Sequence, residues 1–142
     1  MTEFRARYRG TPSSVRLARK AIVDYARACG FATDALAEIA LAVGEALANA
    51  VEHGNKDLGF IEVTCVFEGD VLDVEISDAG KGFDITEMQP RERDPDAIRG
   101  FGISIMHAIM DEVSYLRRGA AVRLRKRRPT PATVEPALRK EA

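Results

Sequence analysis

Histidine and cysteine are scarce, two of each in 142 residues, and neither pair is spaced as metal ligands are. A zinc site is therefore not expected, and Cys29 and Cys65 read as reduced, partly buried thiols. Net charge is nearly absent as well: 21 Lys and Arg stand against 22 Asp and Glu, a balance of −1. Such a chain has no overall pull toward nucleic acid or an anionic membrane surface. No apolar run approaches the roughly 20 residues of a bilayer-spanning helix, so no membrane association is expected. The opening MTEFRARYRG has charges and no apolar core behind them, which argues against export and for a cytoplasmic protein. Two phosphate-binding signatures are missing, the loop GxxxxGK(S/T) and the dinucleotide fingerprint GxGxxG. What is present, 46% apolar and 30% charged residues, suits one soluble domain with a real core.

Along the chain, Thr11 and Pro12 mark a helix start. Val15, Ala18, Ile22 and Tyr25/Ala26 recur at helical spacing, and Gly30 is a stop. A second helix is expected from Thr33-Asp34 to about Glu52 or His53, closed by Gly54. GFIEVTCVFEGDVLDVEISDAG alternates on both sides of Glu68-Gly69-Asp70. It reads as a hairpin with Ile61, Val63, Cys65 and Phe67 on one face, followed by Leu72, Val74 and Ile76. Periodicity stops between Gly80 and Arg99, a loop long enough to be a functional lid or a disordered segment. FGISIMHAIMDE reads as a short helix with Ile103, Met106, Ile109 and Met110 inward, and EVSYLRRGAAVRLRKR as a closing hairpin turning near Gly119. The proline-bearing PTPATVEPALRKEA has little to bury, so residues 129–142 are expected to be a disordered tail behind a domain of residues 1–128. Strands arrive in consecutive pairs. The fold class is therefore α+β, helices layered on a mostly antiparallel sheet, and not a parallel dinucleotide-binding sheet.

Three stretches could carry chemistry. In GEALANAVEHGN, a wheel of the second helix puts Leu36, Ile39, Val43, Leu47 and Val51 in one stripe roughly 120° wide. Glu45 and Asn49 fall on the other side, where plain solvated residues would also fall. In ISDAGKGFD, a β-branched strand ends at Asp78 and meets Gly80 and Gly82 at once. The aspartate could accept from an exocyclic amine, and the glycines could let backbone approach a flat ligand; a simple turn would look the same. In RGFGIS, Arg99, Gly100 and Gly102 precede a helix start, which favours phosphate oxygens, although an ordinary hinge fits too. Taken together and in this order, the three could span one nucleoside triphosphate. Asn49 could then offer a hard oxygen to Mg²⁺, and Glu45, one turn back, could orient an attacking hydroxyl or accept its proton.

The motifs EALANAVEHGN, DAGKGF and RGFGISIM resemble the N-box and the two glycine boxes of the GHKL ATPases, the superfamily of gyrase and the histidine kinases, with its Bergerat ATP-binding fold. Within it the chain is most similar to the anti-sigma-factor serine/threonine kinases of bacterial partner-switching systems, from about Thr11 to Arg128. The resemblance implies a two-layer α/β sandwich with a mixed, mostly antiparallel sheet, and ATP and Mg²⁺ as cofactors. It makes Glu45 the general base, Asn49 the Mg²⁺ ligand and Asp78 the adenine contact. Gly80 and Gly82 would shape the base pocket, residues 83 to 99 would be the ATP lid, and Arg99, Gly100, Gly102 and Ile103 its phosphate-side anchor. The expected activity is γ-phosphoryl transfer to a Ser or Thr of a small antagonist protein. A sigma factor or other regulatory protein would compete for the same chain, and a homodimer is implied.

One position departs from the family pattern. Gly119 is followed by Ala120 and Ala121, where a polar residue near the base pocket is common, so one hydroxyl contact is missing. No histidine-bearing dimerising hairpin precedes the domain, so a complete sensor histidine kinase is not expected; His53 and His107 read as structural. Arg123, Arg125 and Arg127 alternate with Val122 and Leu124, either as a solvated strand face or as a docking surface for an acidic partner. Without interleaved aromatics, direct nucleic-acid binding is not expected. The rival functional class is a non-catalytic, nucleotide-sensing module that sequesters a regulatory partner.

Overall fold

The computed structural model describes residues 3–53, 59–78, 105–116 and 120–129. The first element is one the sequence reading passed over as a charged terminus. FRARYR alternates, and it forms strand β1 (Phe4–Arg9), with Phe4, Ala6 and Tyr8 half-buried and Arg5, Arg7 and Arg9 exposed. An arginine at every second place hides the period of two that its burial obeys.

Helix α1 (Pro12–Ala28) starts where expected, with Thr11 extended at the cap position. The Thr11 hydroxyl does not cap the helix through its amides. It pairs with the Ser13 and Ser14 hydroxyls at 3.2 and 3.0 Å, while the Thr11 carbonyl accepts from the Ser14 amide. At the other end Gly30 takes φ +96°. The Gly30 amide donates to the Arg27 carbonyl and the Phe31 amide to the Ala26 carbonyl, the paired bonds of a Schellman stop.

Helix α2 (Thr33–His53) follows within a few residues and packs along α1. Strands β2 (Phe60–Glu68) and β3 (Val71–Asp78) form the expected hairpin. Gly69 and Asp70 both have positive φ, 60° and 65°, and Glu68 pairs with Val71. This is the two-residue I′ turn, whose twist matches that of the strands. Residues 105–109 are helical, and β4 (Glu112–Leu116) and β5 (Ala121–Arg127) close the sheet.

Strand order is β1-β2-β3-β5-β4, with all four pairings antiparallel. The two helices cover one face, α1 over β1 and β2, α2 over β2, β3 and β5. Between the layers lie Ile22, Ile39, Leu47, Ile61, Leu72, Ile76, Met106 and Leu124, all essentially without solvent exposure. The architecture is α+β in two layers. No helix among the described residues is long and apolar enough to cross a membrane. Gly54, the stretch from 79 to 104, the turn at Gly119 and the tail from residue 130 on lie outside the described residues.

The basic alternation of the last strand is resolved by its neighbours. Val122 and Leu124 are buried, and the arginines stand on the opposite face of the sheet among carboxylates. Arg123 lies 3.5 Å from both Asp73 and Glu75, and Arg125 lies 3.2 Å from Asp73 and 3.5 Å from Glu112. Cross-strand pairing thus neutralises most of this stripe within the chain, which weakens the reading of a docking surface for an acidic partner.

Candidate nucleotide site

The wheel of α2 places its large side chains correctly but misjudges its width. Leu36, Ile39, Val43 and Leu47 are buried, and so are Ala42, Ala46 and Ala50 on the neighbouring flank. Small alanines add a second buried side without registering as a stripe. Asn49 lies beside that flank and is only 6% exposed, so of the two readings left open for that side of the helix the plainly solvated one does not hold for it. Glu45, one turn before it, is partly exposed.

A pocket lies against this flank, lined by Ala46, Asn49 and Ala50 of α2, Ile76 and Asp78 of β3, Met106, Tyr115 of β4, Ala120 and Val122. It is a narrow, mostly apolar slot between helix and sheet, to which Asn49, Asp78 and Tyr115 bring polar groups. Period-two alternation puts Asp78 on the same face of β3 as Val74 and Ile76, and the strand ends with it. The Asp78 amide donates to the Ala120 carbonyl at 2.9 Å, one step beyond the Ser77–Ala121 pair of the β3–β5 ladder. That bond fixes the strand exit at the pocket's edge. β1 and β2 lie on the far side of the sheet from β4 and β5, so the strand missed in the sequence has no part in the pocket.

Of the residues singled out from sequence, Asn49 and Asp78 are brought together on this pocket, from elements far apart in the chain. Glu45 lies on the same helix one turn away. Gly80, Gly82, Arg99, Gly100, Gly102 and Ile103 lie outside the described residues. His107 is exposed, so the structural role read for it does not hold as packing; the His53 side chain is outside what is described. Sequence reasoning missed Ala46, Ala50 and Tyr115 of the lining. Ala46 and Ala50 are one helical turn apart, a spacing that could have marked them. Tyr115 alternates with Val113 on the inward face of β4, and burial pushes its phenol up, so it presents a neutral hydroxyl group. Ala120 does line the pocket, with a methyl and no hydroxyl.

Among the described residues no group of three or more His, Cys, Asp or Glu could cage a metal. A buried amide oxygen such as that of Asn49 fits Mg²⁺, which keeps waters and takes only one or two protein oxygens.

The slot lies between α2 and an antiparallel sheet, with an amide on the helix and a carboxylate at a strand exit, and the comparison with known families names the class of domain. The chain belongs to the histidine kinase-like ATPase domain family, whose model matches residues 8–126. Within that family its similarity runs to anti-sigma serine kinases. It is 34% identical over 126 residues to the serine-protein kinase RsbW of Listeria monocytogenes serotype 4a, covering 81% of this chain and 80% of that one. It is 31% identical over 117 residues to the anti-sigma F factor of a Thermoanaerobacter species, covering 77% and 82%. In structure it resembles the RsbU and RsbW domains of a Mycobacterium tuberculosis protein, with a TM-score of 0.68 and 20% identity. That match covers 92% of this chain but 33% of the other, and it shows the fold.

Proposed function

We propose that this protein is a cytoplasmic serine/threonine kinase and anti-sigma regulator. It binds ATP with Mg²⁺ and transfers the γ-phosphoryl group to a Ser or Thr of a small antagonist protein, and the unphosphorylated antagonist and a sigma factor or comparable regulator compete for this chain. The reading is carried by one observation: Asn49 of α2 and Asp78 of β3 line the same pocket in a chain of this family. The names of the relatives support the activity and the class of partner.

Each residue has a defined task in this reading. Asp78 accepts a hydrogen bond from the exocyclic amine of adenine, and the alanine-flanked slot takes the flat base. Asn49 gives its side-chain oxygen to Mg²⁺, which neutralises phosphate charge when bound. Glu45 orients the acceptor hydroxyl and takes its proton as the oxygen attacks phosphorus. Arg99, Gly100, Gly102 and Ile103 hold the phosphate side, Gly80 and Gly82 shape the base side, and the chain acts as a homodimer. Catalysis is chiefly positioning and charge neutralisation, as phosphoryl transfer requires.

The test is incubation with γ-labelled ATP, Mg²⁺ and candidate antagonist proteins. Label should appear on a Ser or Thr of the antagonist, and Glu45→Ala should reduce transfer by about 10²- to 10⁴-fold while ATP still binds. Binding without transfer to any antagonist, or full transfer by Glu45→Ala, overturns the assignment. Ala120 on the pocket wall favours the rival reading, a module that senses nucleotide and sequesters its partner without catalysis. That rival predicts nucleotide-dependent partner binding with no label moved.

A further inference from the structure

Lys126 is a charged residue in an uncharged place. It shares the inward face of β5 with Val122 and Leu124, and its side chain is only 12% exposed. From there its Nζ donates to the Ile109 carbonyl at 2.9 Å and lies 3.1 Å from Glu38 Oε1. Ile109 is the last residue of the helical segment 105–109, whose final carbonyls have no partner within the helix. A cation at a helix C-terminus satisfies such a carbonyl and opposes the partial negative charge there. Glu38 belongs to α2, two turns before Glu45 on the helix that also carries Asn49.

One ammonium therefore ties together two elements that both contribute to the pocket lining. Met106, within the tied segment, is 1% exposed and lines the same pocket as Ala46 and Ala50 of α2. The tie is reinforced nearby. The Met110 amide closes the turn onto the Met106 carbonyl, the Asp111 amide donates to the Arg125 carbonyl, and Asp111 Oδ2 accepts from the Arg127 amide at 2.6 Å. Those bonds hold the exit of the segment on β5, whereas Lys126 reaches from β5 to both the segment and α2.

We infer that Lys126 is a positioning residue for the nucleotide site, setting the Met106 wall against α2 through the Ile109 carbonyl and Glu38. The inference rests on the ATP-site reading above. Lys126 touches neither nucleotide nor acceptor; its effect is on the width of the slot, so it acts on nucleotide affinity more than on turnover.

The experiment uses the full chain with ATP and Mg²⁺. Lys126→Met keeps the aliphatic stem and removes the donor. With the Ile109 carbonyl left unsatisfied, ATP affinity is expected to fall about tenfold, with KM rising to match and kcat within about twofold of wild type. Lys126→Arg, which keeps a donor, should recover most of that loss. In protein labelled with ¹³C-methyl methionine, the Met106 signal, one of four methionines, should shift in Lys126→Met before any nucleotide is added. Glu38→Gln removes only the outer contact and is the second variant should Lys126→Met not fold; it too should shift Met106, with an affinity change of about two- to threefold. An unchanged Met106 signal, wild-type affinity in folded Lys126→Met, or a loss that Lys126→Arg does not recover overturns the inference. Failure of the wild type itself to bind ATP would instead overturn the nucleotide-site reading.

Discussion

The Asp78 amide is bonded to the Ala120 carbonyl at 2.9 Å, and both residues line the same pocket. The backbone bond uses main-chain atoms only, so it is retained when the Asp78 carboxylate is replaced by an amide of the same size. Asp78→Asn should therefore leave the circular dichroism spectrum and unfolding midpoint near wild type. It should weaken ATP binding about tenfold or more, through loss of a charge-assisted hydrogen bond to the base. Titration calorimetry checks it; equal affinity would remove Asp78 from base recognition.

Ala120 gives the complementary prediction. Its methyl lies on the pocket wall where a hydroxyl could meet a bound nucleotide. Ala120→Thr keeps the size small and restores a donor and acceptor. ATP affinity should rise by about three- to tenfold, the worth of one net hydrogen bond. A fluorescent ATP analogue in competition with ATP reads the change, and a variant that binds no tighter would show that the missing hydroxyl is of no consequence here.

Arg128 fastens three elements at the end of the domain away from the pocket. It donates to the Cys29 carbonyl and to Asp70 Oδ1, both at 2.6 Å, and its guanidinium lies 5.0 Å from the centre of the Phe67 ring. Arg128→Ala would leave the α1 stop and the β2–β3 turn without that partner, and should cost about 2 kcal/mol of stability. Gly30→Ala meets two obstacles at once, φ +96° and a Cβ that would lie 2.8 Å from Arg128 Nη1. It should cost about 1 to 2 kcal/mol. Urea unfolding measures both, and ATP affinity of the folded fraction should not change.

The cysteines predict a pH dependence. Burial pushes the Cys65 thiol up to about 12, and burial likewise raises Cys29. An unfolded chain would release the Cys65 proton near the ordinary thiol value of 9.0, whereas the native state holds it to about 12. The native state thus binds more protons across that window, so the contribution is complete below about pH 9 and is lost as pH rises toward 12. The slope is about 1.4 kcal/mol per pH unit for Cys65. Urea midpoints at pH 8 and 10.5 should fall more steeply for wild type than for Cys65→Ala; equal slopes would contradict it. At pH 8 neither thiol should react with a maleimide until the protein is unfolded.

How much of this was written in the chain differs from element to element. The hairpin was plain in EGD, because two positive-φ residues between alternating runs allow little else. The α1 boundaries followed from Pro12 and Gly30. β1 was not legible as a strand, since alternation with arginine looks the same as a solvated terminus until β2 is beside it. For Asn49 the sequence supplied the residue type, its motif and a place away from the large-residue stripe, but did not show that this side is buried. Helical periodicity weighs large apolar residues, and the second buried side of α2 is made of alanine.

By itself, then, the order of residues determined the local conformations, the family and the candidate groups, because turns, caps and period are short-range steric facts. Tertiary structure alone decided that Asn49 is buried, that it shares a pocket with Asp78, that Arg123 and Arg125 face carboxylates, and that Lys126 joins the segment 105–109 to α2. Those relationships depend on which faces of helix and sheet meet. That choice is made by burying the whole set of apolar side chains at once, and no window of neighbouring residues contains it.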